Sequence, residues 1–307
     1  MINKDEFAKI HFFWYYKWHQ KGGIIMTVEA ITKDTEIIDF KKTDIPIEDL
    51  SKITNINQDI LDNWNKWTQI DGKWYFFKSE DYQQMLMNEL IGESLATKMQ
   101  LDTVHYKIAR EERMYPVALE NIGDTPYNYG LISENYRKPD VEYINSLKLD
   151  VRTSKTCLVA LNDIVKYCRD MKNYNELIKK IIKLIVLDFY MQQTDRNGYN
   201  LYFSKDENGY FDLCPILDYE YSFWYSKNYY SNSLVGVCLD YKETVEEIRR
   251  NQFFQEEFNR IMNININEVI TEIIEKFNLN IGKGYLNIYT DNDLFFKSLV
   301  KKYKIIK

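Results

Sequence analysis

The sequence predicts an α+β protein of two lobes, a sheet-rich N-terminal one and a mainly helical C-terminal one. Three observations carry this. Up to about residue 137, stretches of strand character surround one amphipathic helix; beyond Pro139 the apolar spacing turns helical; and Asp71-Gly72, set between two aromatic stretches, marks a tight hairpin inside the first part. The lobes are therefore read as residues 1–137 and 138–307. A chain of 307 residues can bury a substantial core without disulfides or a structural metal.

Taken in order, "HFFWYYKWH", "GGIIMTVEAI" and "TEIIDF" read as strands between residues 10 and 40, with Gly22 and Gly23 turning the chain. Ile47, Leu50, Ile53, Ile60 and Leu61 space out short helices between Pro46 and Trp64. "KWTQI-DG-KWYFFK" is a hairpin whose two turn residues suit the positive φ angles that match strand twist. "DYQQMLMNELIGESLATKMQL" is an amphipathic helix, with Met85, Leu86, Leu90, Leu95 and Met99 at helical spacing. "VHYKIAREER" and "YNYGLISENYR" follow as strands, with a loop from Asn121 to Thr125. In the second lobe, "SKTCLVALNDIVKYCRDM" and "NYNELIKKIIKLIVLDFYMQQ" are helices, and the latter is apolar nearly all round, as a helix inside a lobe must be. "NLYFS" and "YFDLCPIL" form a hairpin across Lys205 to Gly209, and the remainder is mainly helical.

Bulk composition excludes several classes. A formal net charge of −6 gives no basic field for non-specific nucleic-acid binding, and no nucleic-acid partner is expected. The four cysteines, Cys157, Cys168, Cys214 and Cys238, form no C-x-x-C pair and point to a reducing compartment. Charges interrupt the N-terminal "MINKDEFAKI", and Lys183 and Asp188 break the most apolar window, so neither a signal peptide nor a membrane span is expected. The reading is cytoplasmic, or secreted by a non-classical route. His11 and His19 lack acidic or cysteine companions at ligand spacing and belong to an aromatic covering strand; with only His105 left, histidine triad chemistry has no basis. The basic tail "KSLVKKYKIIK" reads as a solvated helix end.

The pattern D-x-x-x-x-N occurs at Asp140 with Asn145, Asp170 with Asn175 and Asp195 with Asn200, and only the last follows a buried helix and precedes a hairpin that leads to a further acid, Asp218. Hard oxygen ligands converging from adjacent segments, with positions left for water and phosphate, suit Mg²⁺ beside a nucleotide. Phosphoryl transfer needs a positioned nucleophile, neutralised phosphate oxygens and held metal. Asp195 is the candidate to orient and deprotonate a hydroxyl, Asn200 and Asp218 to bind Mg²⁺, and Lys78 to hold ATP phosphates, with Glu89 fixing Lys78 from the next helix. Alone, Lys78 reads as an exposed strand end, Glu89 as a solvated helix face, and Asp218 as a turn cap. Asp188, a lone acid in "IVLDFYM", is read as hydrogen-bonded inside the lobe, and Arg196 either pairs with a carboxylate or contacts phosphate.

In that order, "GKWYFFK", "NELIGESLA", "YGLISENY", "TDRNGYN" and "PILDYEYSF" resemble the HipA-like serine/threonine kinases, most of all their small CtkA-like bacterial members, over roughly residues 60 to 225. The resemblance implies a bilobal protein-kinase-like (HipA/PI3K-like) fold, ATP and Mg²⁺, transfer to a Ser or Thr hydroxyl of a protein substrate, and an antitoxin or host target as partner. It makes Asp195 the base, Asn200 and Asp218 metal ligands, Lys78 the phosphate lysine and Glu89 its partner. The chain departs from the family in two places. Asn197 stands where the family has His, which leaves a lipid or small-molecule acceptor open, and the loop "ILDNWNKWTQ" has no glycine, so Lys66 is the candidate to supply charge to phosphate directly. A partner-binding pseudokinase is the reading from another class. Thr68 and Ser79 are candidate autophosphorylation sites.

Overall fold

The computed structural model describes residues 30–40, 66–79, 83–119, 123–138, 140–145, 166–169, 171–193, 196, 200–223 and 242–306. The first lobe is a five-stranded sheet in the order β1-β4-β5-β3-β2, comprising β1 (Ile38–Phe40), β2 (Lys66–Ile70), β3 (Lys73–Ser79), β4 (Tyr106–Leu119) and β5 (Gly123–Glu134). The β2–β3 hairpin turns on Asp71 at φ 50° and Gly72 at φ 77°. Both residues are left-handed, which lets a two-residue turn follow the twist of its strands. β5 starts at Gly123, pairing Gly123, Asp124 and Thr125 with Leu119, Ala118 and Val117 of β4. The loop expected over 121–125 is therefore shorter than its polar residues suggest, because ladder hydrogen bonds continue through them.

Between β3 and β4 runs α1 (Gln83–Lys98), which buries Leu86, Met87, Leu90, Ile91, Leu95 and Ala96. These residues share one continuous core with Ile108 of β4, Leu131 of β5 and the helices of the second lobe. The opposite face of the sheet carries a smaller cluster, Phe40, Phe77, Ala109 and Ile132. β3 thus points Phe77 to the small cluster, while the next residue, Lys78, points to the α1 side, following the two-residue strand period.

A second sheet, β6-β7-β8, joins β6 (Glu142–Asn145) to the hairpin of β7 (Tyr202–Lys205) and β8 (Phe211–Leu213). α2 (Tyr174–Met191) leads into this hairpin, buried along its C-terminal half and capped by Gln192 in the left-handed conformation. The helices α3 (Lys242–Arg250), α4 (Gln252–Met262), α5 (Ile266–Phe277) and α6 (Lys283–Lys302) complete the lobe. Asn251 and Asn265 cap α4 and α5 by accepting hydrogen bonds from the backbone N–H groups of Phe253 and Asn267. The strands read at 11–19 and most of those at 22–31, the short helices at 46–64 and most of the helix at 154–171 lie outside the described residues. Among the described residues no helix is long and apolar enough to cross a membrane.

Thr103 and Ile216 form an isolated parallel bridge, so the segment after α1 pairs with the chain just before Asp218. Alongside it, the Tyr219 side chain packs against Gly92 of α1: a Cβ there would stand 2.2 Å from Tyr219 Cγ. Only glycine admits that approach. Gly92→Ala is expected to lower stability by about 1–3 kcal/mol through overpacking, measured as the midpoint shift in urea denaturation; an unchanged midpoint would contradict the contact.

Candidate active site

The Lys78 ammonium is the meeting point of the two halves of the site. It donates to Glu89 Oε1 of α1 and to Asp218 Oδ1, and lies 3.0 Å from Glu220 Oε2. Glu89 is wholly buried and Lys78 is 18% exposed. One positive charge therefore faces three carboxylates, whose ligand oxygens all lie within 4.8 Å of one another. Burial raises the Glu220 pKa above the usual carboxylate value; the charge of Lys78 opposes this and that of Asp218 adds to it.

Asp218 has a φ of 65°. Aspartate tolerates the left-handed region better than most residues, and here its neighbours impose it. Gln193 Nε2 donates to the Asp218 carbonyl at 2.8 Å, the Glu220 N–H donates to Glu89 Oε1 at 3.1 Å, and the Phe223 N–H donates to the Met191 carbonyl at 2.6 Å. Segment 218–223 is thus tied to α1 on one side and to the end of α2 on the other.

The link between α2, the loop after it and the acid segment is Arg196. Its guanidinium grips Asp188 through Nε at 3.1 Å and Nη2 at 3.0 Å, and its Nη1 donates to the carbonyls of Leu217 at 2.6 Å and Asn200 at 3.3 Å. Both charged groups are buried. Bidentate geometry and satisfied donors are what make such a burial tolerable. Asp188 is therefore hydrogen-bonded inside the lobe, and Arg196 is a structural partner of that carboxylate.

Of the residues expected to form the site, Lys78, Glu89 and Asp218 meet within one hydrogen-bonded cluster. Asn200 is tethered to the segment preceding Asp218, because its carbonyl shares Arg196 Nη1 with that of Leu217. Lys66 begins β2, with Phe77 opposite it in the ladder. Asp195 and Asn197 lie outside the described residues. Ser79 is exposed, whereas Thr68 is only 2% exposed and closed to modification in this conformation. Glu220 is the residue sequence reasoning missed. Its one signal was its place two residues beyond Asp218; the left-handed Asp218 and the turn after it carry its carboxylate to Lys78.

No family model and no curated protein matches the sequence. Solved structures do resemble its fold. The Helicobacter pylori proinflammatory kinase CtkA superposes with a TM-score of 0.56 at 12% identity, over 86% of this chain and 94% of that one. HipA of Shewanella oneidensis MR-1, solved with HipB and operator DNA, gives 0.55 at 12% identity, over 93% of this chain and 74% of that one. The chain has a bilobal, kinase-like fold of the HipA type. Within this kinase-like fold the Lys78 cluster lies where the β3 strand, α1 and the acid segment converge.

Arg196→Met leaves the Asp188 carboxylate buried without its cation, a change expected to cost about 3–5 kcal/mol near neutral pH by urea denaturation. Burial already holds the Asp188 pKa above its ordinary value against the pull of Arg196, so removing the guanidinium raises it further. The folded variant then keeps a proton that its unfolded chain releases; that contribution to stability is present below the ordinary carboxylate pKa and is lost as pH rises through the raised folded value. The deficit against wild type should shrink on acidification. A deficit that grows in acid would contradict the pairing.

Proposed function

We propose that this protein is an ATP- and Mg²⁺-dependent phosphotransferase whose acceptor is a Ser or Thr hydroxyl of a protein. The observation that supports this best is the contact of Lys78 with Asp218 across 140 positions of sequence, in a chain whose fold is that of kinases. A lysine on a strand, paired to a helix glutamate and facing a metal-binding acid, is the arrangement that holds nucleotide phosphates in protein kinases.

The donor set fits Mg²⁺. Its oxygens are hard carboxylates, and those of Glu89, Asp218 and Glu220 converge within 4.8 Å of one another. Asp218, with Asn200, would hold the ion, which when bound would neutralise phosphate oxygens. In this reading Lys78 turns from Asp218 to the phosphates while Glu89, fixed in the core, keeps the amine in place. Asp195 orients the acceptor hydroxyl and takes its proton as the phosphoryl group transfers.

The test is transfer from labelled ATP with Mg²⁺ to protein, phosphoinositide and small-alcohol acceptors. Label is expected on protein Ser or Thr, falling by about 10²-fold or more in Asp195→Ala and Asp218→Ala. Wild-type rates in both variants would contradict the assigned roles. Label confined to lipid or alcohol would change the acceptor class, and nucleotide binding without transfer to any acceptor would make the protein a binding module.

A further inference from the structure

The acid segment does not hold its shape by itself. The Tyr219 carbonyl accepts from the Ser222 N–H at 3.0 Å, a turn that leaves the carbonyls of Glu220 and Ser222 to find donors elsewhere. Buried backbone acceptors require partners. Both are met by one side chain of α1: Asn88 Nδ2 donates to the Glu220 carbonyl at 2.6 Å and to the Ser222 carbonyl at 2.7 Å. The other end of that amide accepts from the Tyr289 hydroxyl of α6 at 3.1 Å, which fixes which way the amide faces. Asn88 and Tyr289 are both fully buried.

Asn88 directly precedes Glu89, so neighbouring residues on α1 hold the acid segment by different means. Glu89 takes the Glu220 N–H and the Lys78 ammonium, and Asn88 takes the carbonyls on either side of Tyr221. We infer that Asn88, oriented by Tyr289, is a positioning residue that holds segment 218–222 against α1 so that Asp218 and Glu220 face Lys78. This deepens the proposed function and rests on it for its catalytic meaning. The geometric claim concerns Lys78 and stands or falls separately. It also connects the C-terminal helix to the site, since Tyr289 of α6 reaches the acid segment through its hydroxyl and the Asn88 amide, as well as through its ring against Phe223.

The experiment is competitive labelling of lysines with an amine-reactive ester, read residue by residue by mass spectrometry on the full chain. Lys78, shielded among three carboxylates, should label slowly against the exposed Lys33 and Lys301 as internal references. Asn88→Leu keeps the volume but removes both donors. It should speed Lys78 labelling about tenfold relative to the references, as expected from losing two hydrogen bonds. A merely structural loss of stability would also speed the labelling of Lys180, which is partly shielded in an ion pair with Asp212; a Lys78 ratio unchanged from wild type in the folded variant, or one that rises only in step with that of Lys180, overturns the proposal. Should Asn88→Leu not fold, Tyr289→Phe removes only the orienting hydroxyl, with about a threefold change in the ratio expected and no change again overturning it. Binding of a non-hydrolysable ATP analogue with Mn²⁺ is measured in parallel. If wild type binds none while the labelling ratio shifts as expected, the phosphotransferase reading fails and the positioning role remains.

Discussion

The arrangement depends on where the partner of Lys78 is anchored. Glu89 is fully buried in a helix that belongs to the same core as the C-terminal helices. A buried carboxylate is costly unless a cation reaches it. Lys78 supplies that cation from the sheet, so the end of β3 is drawn onto α1. Asp218 and Glu220 then use the same ammonium from the other lobe, and the electrostatic need of one buried acid brings together segments remote in sequence.

A second constraint works behind the first. Arg196 satisfies Asp188 and, with its remaining donors, two carbonyls that flank the hairpin. The loop leaving α2 and the chain entering Asp218 are therefore held by one guanidinium, a group whose planar fork suits several acceptors at once. Neither constraint needs a ligand. The framework that would receive nucleotide and metal is organised by buried charges that must be paired in any case.

Much of the fold was legible because its signals are local. Asp71-Gly72 imposes its turn, α1 and α2 announce themselves by apolar spacing, and the β7–β8 hairpin follows from two short apolar stretches around a polar turn. The loop placed at 121–125 was read too long, because Gly123, Asp124 and Thr125 continue the ladder with β4. Within the site, Lys78, Glu89 and Asp218 stood out through their order along the chain. Glu220 and Asn88 did not, since an acid after a strand and an asparagine in a helix look ordinary until tertiary contacts show what they face. Arg196 left two roles open for the same reason, and only its distance to Asp188 separates them.

The account's central claim is that Lys78 and Glu89 are energetically coupled. A double-mutant cycle in urea denaturation, with Lys78→Met, Glu89→Gln and both together, measures that directly. Removing the cation alone leaves the acids to repel one another, and neutralising Glu89 as well relieves part of it, so the double variant should be more stable than the sum of the single losses by about 1–3 kcal/mol. Losses that simply add would mean that the two side chains do not meet, and the site as described would not exist.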